Sequence, residues 1–131
     1  MHKRNRLFVT LSLIYALIGG LLAVAWLYKP GLIPGDIPQL HGHIMLMGFI
    51  AMMIYGVGLH VLPRFSGHPL FSERMANWQL YVCNAGLWLL AAGWLGSPKI
   101  LLTIGGVVSW VGMGMFAINI MLTVKVRGPA G

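Results

Sequence analysis

Three of the chain's five histidines, His41, His43 and His60, lie in one apolar stretch, Leu40 to Arg64 (LHGHIMLMGFIAMMIYGVGLHVLPR). Neutral imidazole is among the commonest metal ligands in proteins. An ionisable side chain inside an apolar run of membrane-spanning length is read first as functional, because placing it in lipid is costly. Residues two apart on a helix point about 200° apart, so His41 and His43 are suited to two different neighbours rather than one shared ion. His60 is 17 positions beyond His43, roughly 25 Å along a helix, and belongs to a different place. The other apolar runs contain no histidine, and His2 and His68 fall at the end away from His41 and His43. A second axial ligand to any metal held by His41 or His43 must therefore come from another chain or a methionine, or be absent. The spacing H-x-H-x-M-x-M (His41, His43, Met45, Met47) would suit copper if the helix start unwound. Met113 and Met115 lie about 15 Å or more into their helix, below the level of His43. The plainer reading of each histidine is a helix-end residue bonded to backbone or headgroup. His60, beside Pro63 and Arg64, is well placed to snorkel in this way.

The elements that position these residues follow from composition. A chain of 131 residues fits one domain, and 58% hydrophobic with 8% charged residues is far from the roughly 25% charge of a soluble domain. Four apolar runs have the length of a bilayer crossing, at about 7–28, 41–62, 75–95 and 100–124. The first follows a basic arm (MHKRNR) but lacks the A-x-A cleavage pattern of a signal peptide, so it is expected to be retained. Lys29 to Gln39 (KPGLIPGDIPQ), with three prolines and two glycines, reads as a loop. Ser72 is placed to cap the third helix, and Ser97 and Pro98 occupy the cap and first position of the fourth. The fourth run stops in Lys125, Arg127, Gly128 and Pro129. Short connections make this a single transmembrane domain over 1–131, an all-α, four-helix up-down bundle. Its many glycines permit close helix approach, and would equally leave room for a flat macrocycle. The single cysteine, Cys83, cannot form an intrachain disulfide and reads as a small packing residue.

The net charge of +7 is distributed as a topology signal rather than a nucleic-acid-binding face. Lys3, Arg4, Arg6, Arg64, Arg74, Lys125 and Arg127 fall on one side of the bundle, against Lys29 and Lys99 on the other. The positive-inside rule then puts both termini in the cytoplasm, His41 and His43 near the outer face of the cell inner membrane, and His60 near the inner one.

His41-Gly42-x-Ile44-Met45 opening an apolar helix, with Gly56-x-Gly58, Pro63 and Gly67 after it, resembles the second helix of subunit I of haem-copper oxidases. Arg74 and Trp78, leading into the next helix, continue the likeness. In that family the opening histidine is an axial ligand of the low-spin haem, and His41 stands at the matching place. The H-x-H pair also resembles a later helix of that subunit, whose first histidine serves the high-spin haem while the second completes the low-spin one. His41, His43, Met45, Gly48 and Phe49 are similar, too, to a pattern in membrane haem proteins of the nitric-oxide response. The resemblance covers about His41 to Trp78. It does not extend to the oxidase copper centre, whose three histidines on two further helices and nearby tyrosine have no counterpart; Tyr55 lies on the histidine helix itself. Oxygen reduction by this chain alone is therefore not expected.

The resemblance implies haem b, held by His41 and His43, with His60 a weaker candidate metal ligand. Since no CxxCH occurs, covalent attachment is not expected. The catalytic subunit of that family is built of three four-helix arcs, and this chain resembles one arc. That implies a homo-oligomer, a trimer ahead of a dimer, with haem at subunit interfaces and roles in electron transfer or in redox or gas (O2, NO) sensing. Its partners would be the bilayer and a redox protein or quinol, with no nucleic acid. Two other classes stay open: a cofactor-free structural or assembly subunit of a respiratory complex, and a copper-handling membrane protein.

Overall fold

A computed structural model describes residues 1–96 and 98–126. These form four helices: α1 (Lys3–Tyr28), α2 (Ile37–Ser66), α3 (Glu73–Trp94) and α4 (Ile100–Met121). Among the described residues every regular element is a helix, as the apolar runs led one to expect. Two stretches depart from α geometry. Ile44–Ile50 within α2 is π-helical and follows directly on His43, and Leu122–Val126 extends α4 in the same way.

The helix ends show which local signals prevail. Asp36 caps α2, its carboxylate accepting from the backbone N–H of Gln39 at 3.3 Å. Pro38 follows in the first turn, where its missing N–H has no partner to lose. The loop expected to run to Gln39 therefore ends at Asp36, and His41 lies a turn inside the helix instead of opening it. At the other end α2 continues through Pro63 to Ser66, past the stop expected at Leu62. It closes on Gly67 at φ 75°, a left-handed position that suits glycine. Gly67 and His68 then donate to the carbonyls of Arg64 and Pro63, satisfying the last carbonyls of the helix. Ser72 caps α3 as expected, accepting from Met75 N–H at 3.0 Å. Pro98 precedes α4 by two residues instead of opening it. The Ser97 cap and the Arg127, Gly128 and Pro129 stop lie outside the described residues.

Glycines set the helix pairing. On α1 and α2, Gly19 meets Met45, Gly48 meets Tyr15, and Gly56 meets the Asn5 carbonyl and Phe8. On α3 and α4, Cys83 meets Gly112, Gly86 meets Ser109, Leu90 meets Gly105, and Gly93 meets Leu102. In both pairs the contacts climb one helix as they descend the other, so the partners are antiparallel. Around them a single core forms from Phe8, Tyr15, Leu40, Ile44, Met52, Tyr55, Leu59, Ala76, Leu80, Cys83 and Leu87, among others. Cys83 is buried and free, as its apolar setting suggested.

Three helical segments are long and apolar enough to cross a membrane: Lys3–Tyr28, Ile37–Ser66 and Ile100–Lys125. The sequence reading expected a fourth. Helix α3 has the length, but Glu73, Arg74, Asn77, Gln79 and Asn84 along it lower its hydropathy. Most of these groups serve the other helices. Buried Arg4 donates from Nη1 to Glu73 Oε2 at 2.5 Å and to Asn77 Oδ1 at 3.1 Å. Asn84 Oδ1 accepts from the Tyr15 hydroxyl at 2.5 Å, and that hydroxyl accepts from Trp88 Nε1 at 2.8 Å. Polar side chains bonded between helices are one of the forces that associate helices in lipid. The start of α3 is fastened again by fully buried Asn119 of α4, which accepts from Ser72 N–H at 3.0 Å and donates to Ser72 O at 2.8 Å.

Candidate functional site: the histidine turn of the second helix

His41 and His43 are both half-buried, and the same physical device holds each. His41 Nδ1 lies 2.8 Å from the carbonyl oxygen of Gly19 on α1. His43 Nδ1 lies 2.8 Å from the carbonyl oxygen of Gln39, one turn back on its own helix. A carbonyl oxygen only accepts, so each Nδ1 carries the proton. In the neutral ring the lone pair is then on Nε2. A histidine whose second nitrogen is anchored to a backbone carbonyl is oriented as metal-ligating histidines generally are. The His41 contact depends on how near α1 comes. A Cβ at Gly19 would lie 2.5 Å from Met45 Sδ, so a larger residue there would require the Met45 side chain to move.

The two rings face apart, as the helical repeat requires. His41 lines a cleft of about 260 Å3 with Ala23, Trp26 and Leu27 of α1 and with Pro38. His43 stands against Trp94 at the end of α3, ring centroids 5.6 Å apart and planes inclined at 37°. Nothing in the sequence had linked His43 with Trp94. The link comes from the start of α2 docking on the end of α3, where Asp36 N–H donates to Trp94 O at 2.8 Å. A Cβ at Gly35 would lie 2.6 Å from that same oxygen, and Gly35 adopts φ 117°, so glycine is needed there on both counts.

Met45 and Met47 face different parts of the molecule. Met45 packs on Gly19, whereas Met47 lines a separate apolar cavity of about 470 Å3 with Tyr55, Cys83, Ser109, Met113 and Phe116. The backbone from His41 to Met47 stays helical, without the unwinding that a four-ligand copper site would need. Tyr55 is a core residue against Phe8 and Phe116, at centroid distances of 5.8 and 4.9 Å. Among the described residues, Ser109 Oγ, Trp94 Nε1 and both side-chain polar atoms of Gln79 are buried without a hydrogen-bond partner, which no pattern in the sequence had marked.

His60 is at the opposite end of α2. It lines a cleft with His2, His68, Arg4 and Arg64, so the three histidines remaining after His41 and His43 come together there. Among the described residues no group of three or more His, Cys, Asp or Glu side chains could hold a metal ion. No protein-family model, curated protein or solved structure matches this chain. The functional reading therefore stands on the residues themselves.

Proposed function

We propose that this protein is an integral membrane b-type haem protein whose axial ligands are His41 and His43. One observation carries the reading. Both imidazoles are held through Nδ1 by backbone carbonyls at 2.8 Å, which presents Nε2 of each neutral ring for ligation. The donor set suits haem iron, for which histidine is a common axial ligand. The π-helical stretch beginning at Ile44 adds weight, since such stretches within α-helices are frequent at functional sites. Because His41 faces α1 and His43 faces the end of α3, the two ligands of one iron would come from different chains. Repeating that heterologous contact around an axis closes a ring, and three copies in an up-down, arc-like arrangement is the form we favour. Haem in that position would supply a one-electron iron couple for electron transfer, or a centre for redox or gas sensing. The basic residues at the start of α1, the end of α2 and the start of α3 favour cytoplasmic termini in a cell inner membrane.

The competing reading is a cofactor-free structural subunit. It is favoured by the backbone hydrogen bonds of His41 and His43, which would serve equally to dock the start of α2 without any ligand. The visible spectrum of the purified protein separates the two. A Soret band that sharpens on reduction is the expected result, and a featureless spectrum from protein made with haem available would leave the structural role. Metal analysis finding copper without iron would point instead to metal handling.

A further inference from the structure

The cleft at the His60 end of the molecule differs in kind from the histidine turn, because it is lined with cations. It encloses about 550 Å3 between the start of α1, the end of α2 and the loop leading to α3. His2, Arg4, His60, Arg64 and His68 line it, with Glu73 as the one carboxylate among its lining residues. That carboxylate is engaged. It pairs with Arg4 at 2.5 Å, the one ion pair among the described residues, so these two charges offset each other. Arg64 is exposed and, among the described residues, makes no ion pair. His2 Nδ1 accepts from Arg4 N–H at 3.1 Å, so the proton of its neutral ring is on Nε2 and its free nitrogen donates. The three imidazoles do not form a metal-holding group. What they share with Arg64 is the capacity to donate to an anion.

Beneath the cations the cleft is apolar, with Leu59, Pro63 and Leu70 buried. A second groove, of about 370 Å3, follows α2 away from this end along Met53, Ile54, Val57, Gly58, Val61 and Leu62. Val57, Val61 and Arg64 are spaced four and three residues apart, which puts them on one stripe of the helix. The stripe leads from a cation at the end of a membrane-length helix onto an open apolar groove, which shares no lining residue with the cleft. We propose that this cleft binds the phosphate headgroup of an anionic membrane lipid, with Arg64 as its cation, His2, His60 and His68 as donors, and the adjoining groove taking an acyl chain. Basic pockets between membrane helices on the cytoplasmic side are suited to such headgroups. A free phosphate would use the cations but not the apolar groove. The proposal rests on the helices spanning a membrane and is independent of haem.

The test is native mass spectrometry of the full chain in detergent, titrated with phosphatidylglycerol or phosphatidylcholine. Selective retention of phosphatidylglycerol is expected. Arg64→Gln should weaken it about fivefold, the effect of one cation at a lipid surface, and Arg64→Lys should restore most of it. The pair His60→Gln/His68→Gln should weaken it as well. Arg64 is exposed, so its variants should keep the wild-type helical circular dichroism. Equal retention of the two lipids, or undiminished phosphatidylglycerol binding by Arg64→Gln, would overturn the proposal. So would displacement of the lipid by millimolar inorganic phosphate, which would mark the cleft as a site for a soluble anion. A normal haem spectrum alongside lost lipid selectivity would confine the failure to this cleft.

Discussion

A histidine with Nδ1 against a carbonyl has one nitrogen left to offer, and this governs what His41 and His43 can do. Each is expected to supply one axial bond, so His41→Ala and His43→Ala should each abolish or convert the haem spectrum. His60→Ala should leave that spectrum nearly unchanged, because His60 is at the far end of α2 among His2, Arg64 and His68. Loss of the haem spectrum in His60→Ala alone would move the site to the inner face. The divergence of His41 and His43 was legible in the sequence, since it follows from the 3.6-residue repeat. The Gln39 carbonyl that holds His43 is local, one turn back on the same helix, but the anchor of His41 and the ring beside His43 were not legible. The Gly19 carbonyl comes within reach only because α1 packs closely on α2, and the Trp94 ring only because α2 begins beside the end of α3. Both are tertiary contacts between residues distant in the chain, and no local pattern announces them.

At the scale of elements, the glycines are informative because some meet backbone and others meet nothing. A Cβ at Gly86 would lie 2.7 Å from Ser109 N, whereas one at Gly106 would meet nothing within 4 Å. Gly86→Ala should therefore force α3 and α4 apart and destabilise the fold by about 1–3 kcal/mol, the usual cost of overpacking. Gly106→Ala should be near neutral or slightly stabilising, since alanine is the better helix former. Thermal unfolding of both variants in one detergent checks the contrast, and equal effects would mean the α3–α4 contact is looser than described. The number of helices was readable from apolar runs, and Ser72 as a cap from its residue type. The start of α2 was misplaced because a loop rich in proline and glycine hid Asp36 as a cap and Pro38 as a tolerated first-turn residue. Its end was misplaced because Pro63 was given more power to stop a helix than it has one turn from the terminus. The polar residues of α3 were visible as letters. Their partners Arg4, Tyr15 and Asn119 emerge only when the helices pack, and with them the reason α3 is less apolar than its neighbours.

For the whole molecule, the proposed orientation rests on the distribution of Lys and Arg. A periplasm-specific reporter fused after Gly131 should be silent, and an active one would reverse the topology and exchange the faces assigned to His41 and His60. Charge placement and hydropathy made the membrane character legible from the sequence, because both are set by composition along the chain. Assembly is a different matter, since it depends on surfaces that no single chain displays in use. Helix α3 exposes Trp78, Tyr81 and Trp88 on the helix that is least suited to lipid, and His43 points toward that helix's end. In the proposed assembly a neighbouring subunit would sit on this side, while His41 faces the cleft beside α1. The haem-bridged ring is the central claim of the proposed function. Native mass spectrometry of the purified, haem-loaded protein reads chain number and haem number together. Three chains carrying three haems is the expected result, and two chains sharing one haem would indicate a symmetric dimer bridged by a single histidine type. A lone chain that retains a six-coordinate haem, or an assembly with no haem at all, would contradict it.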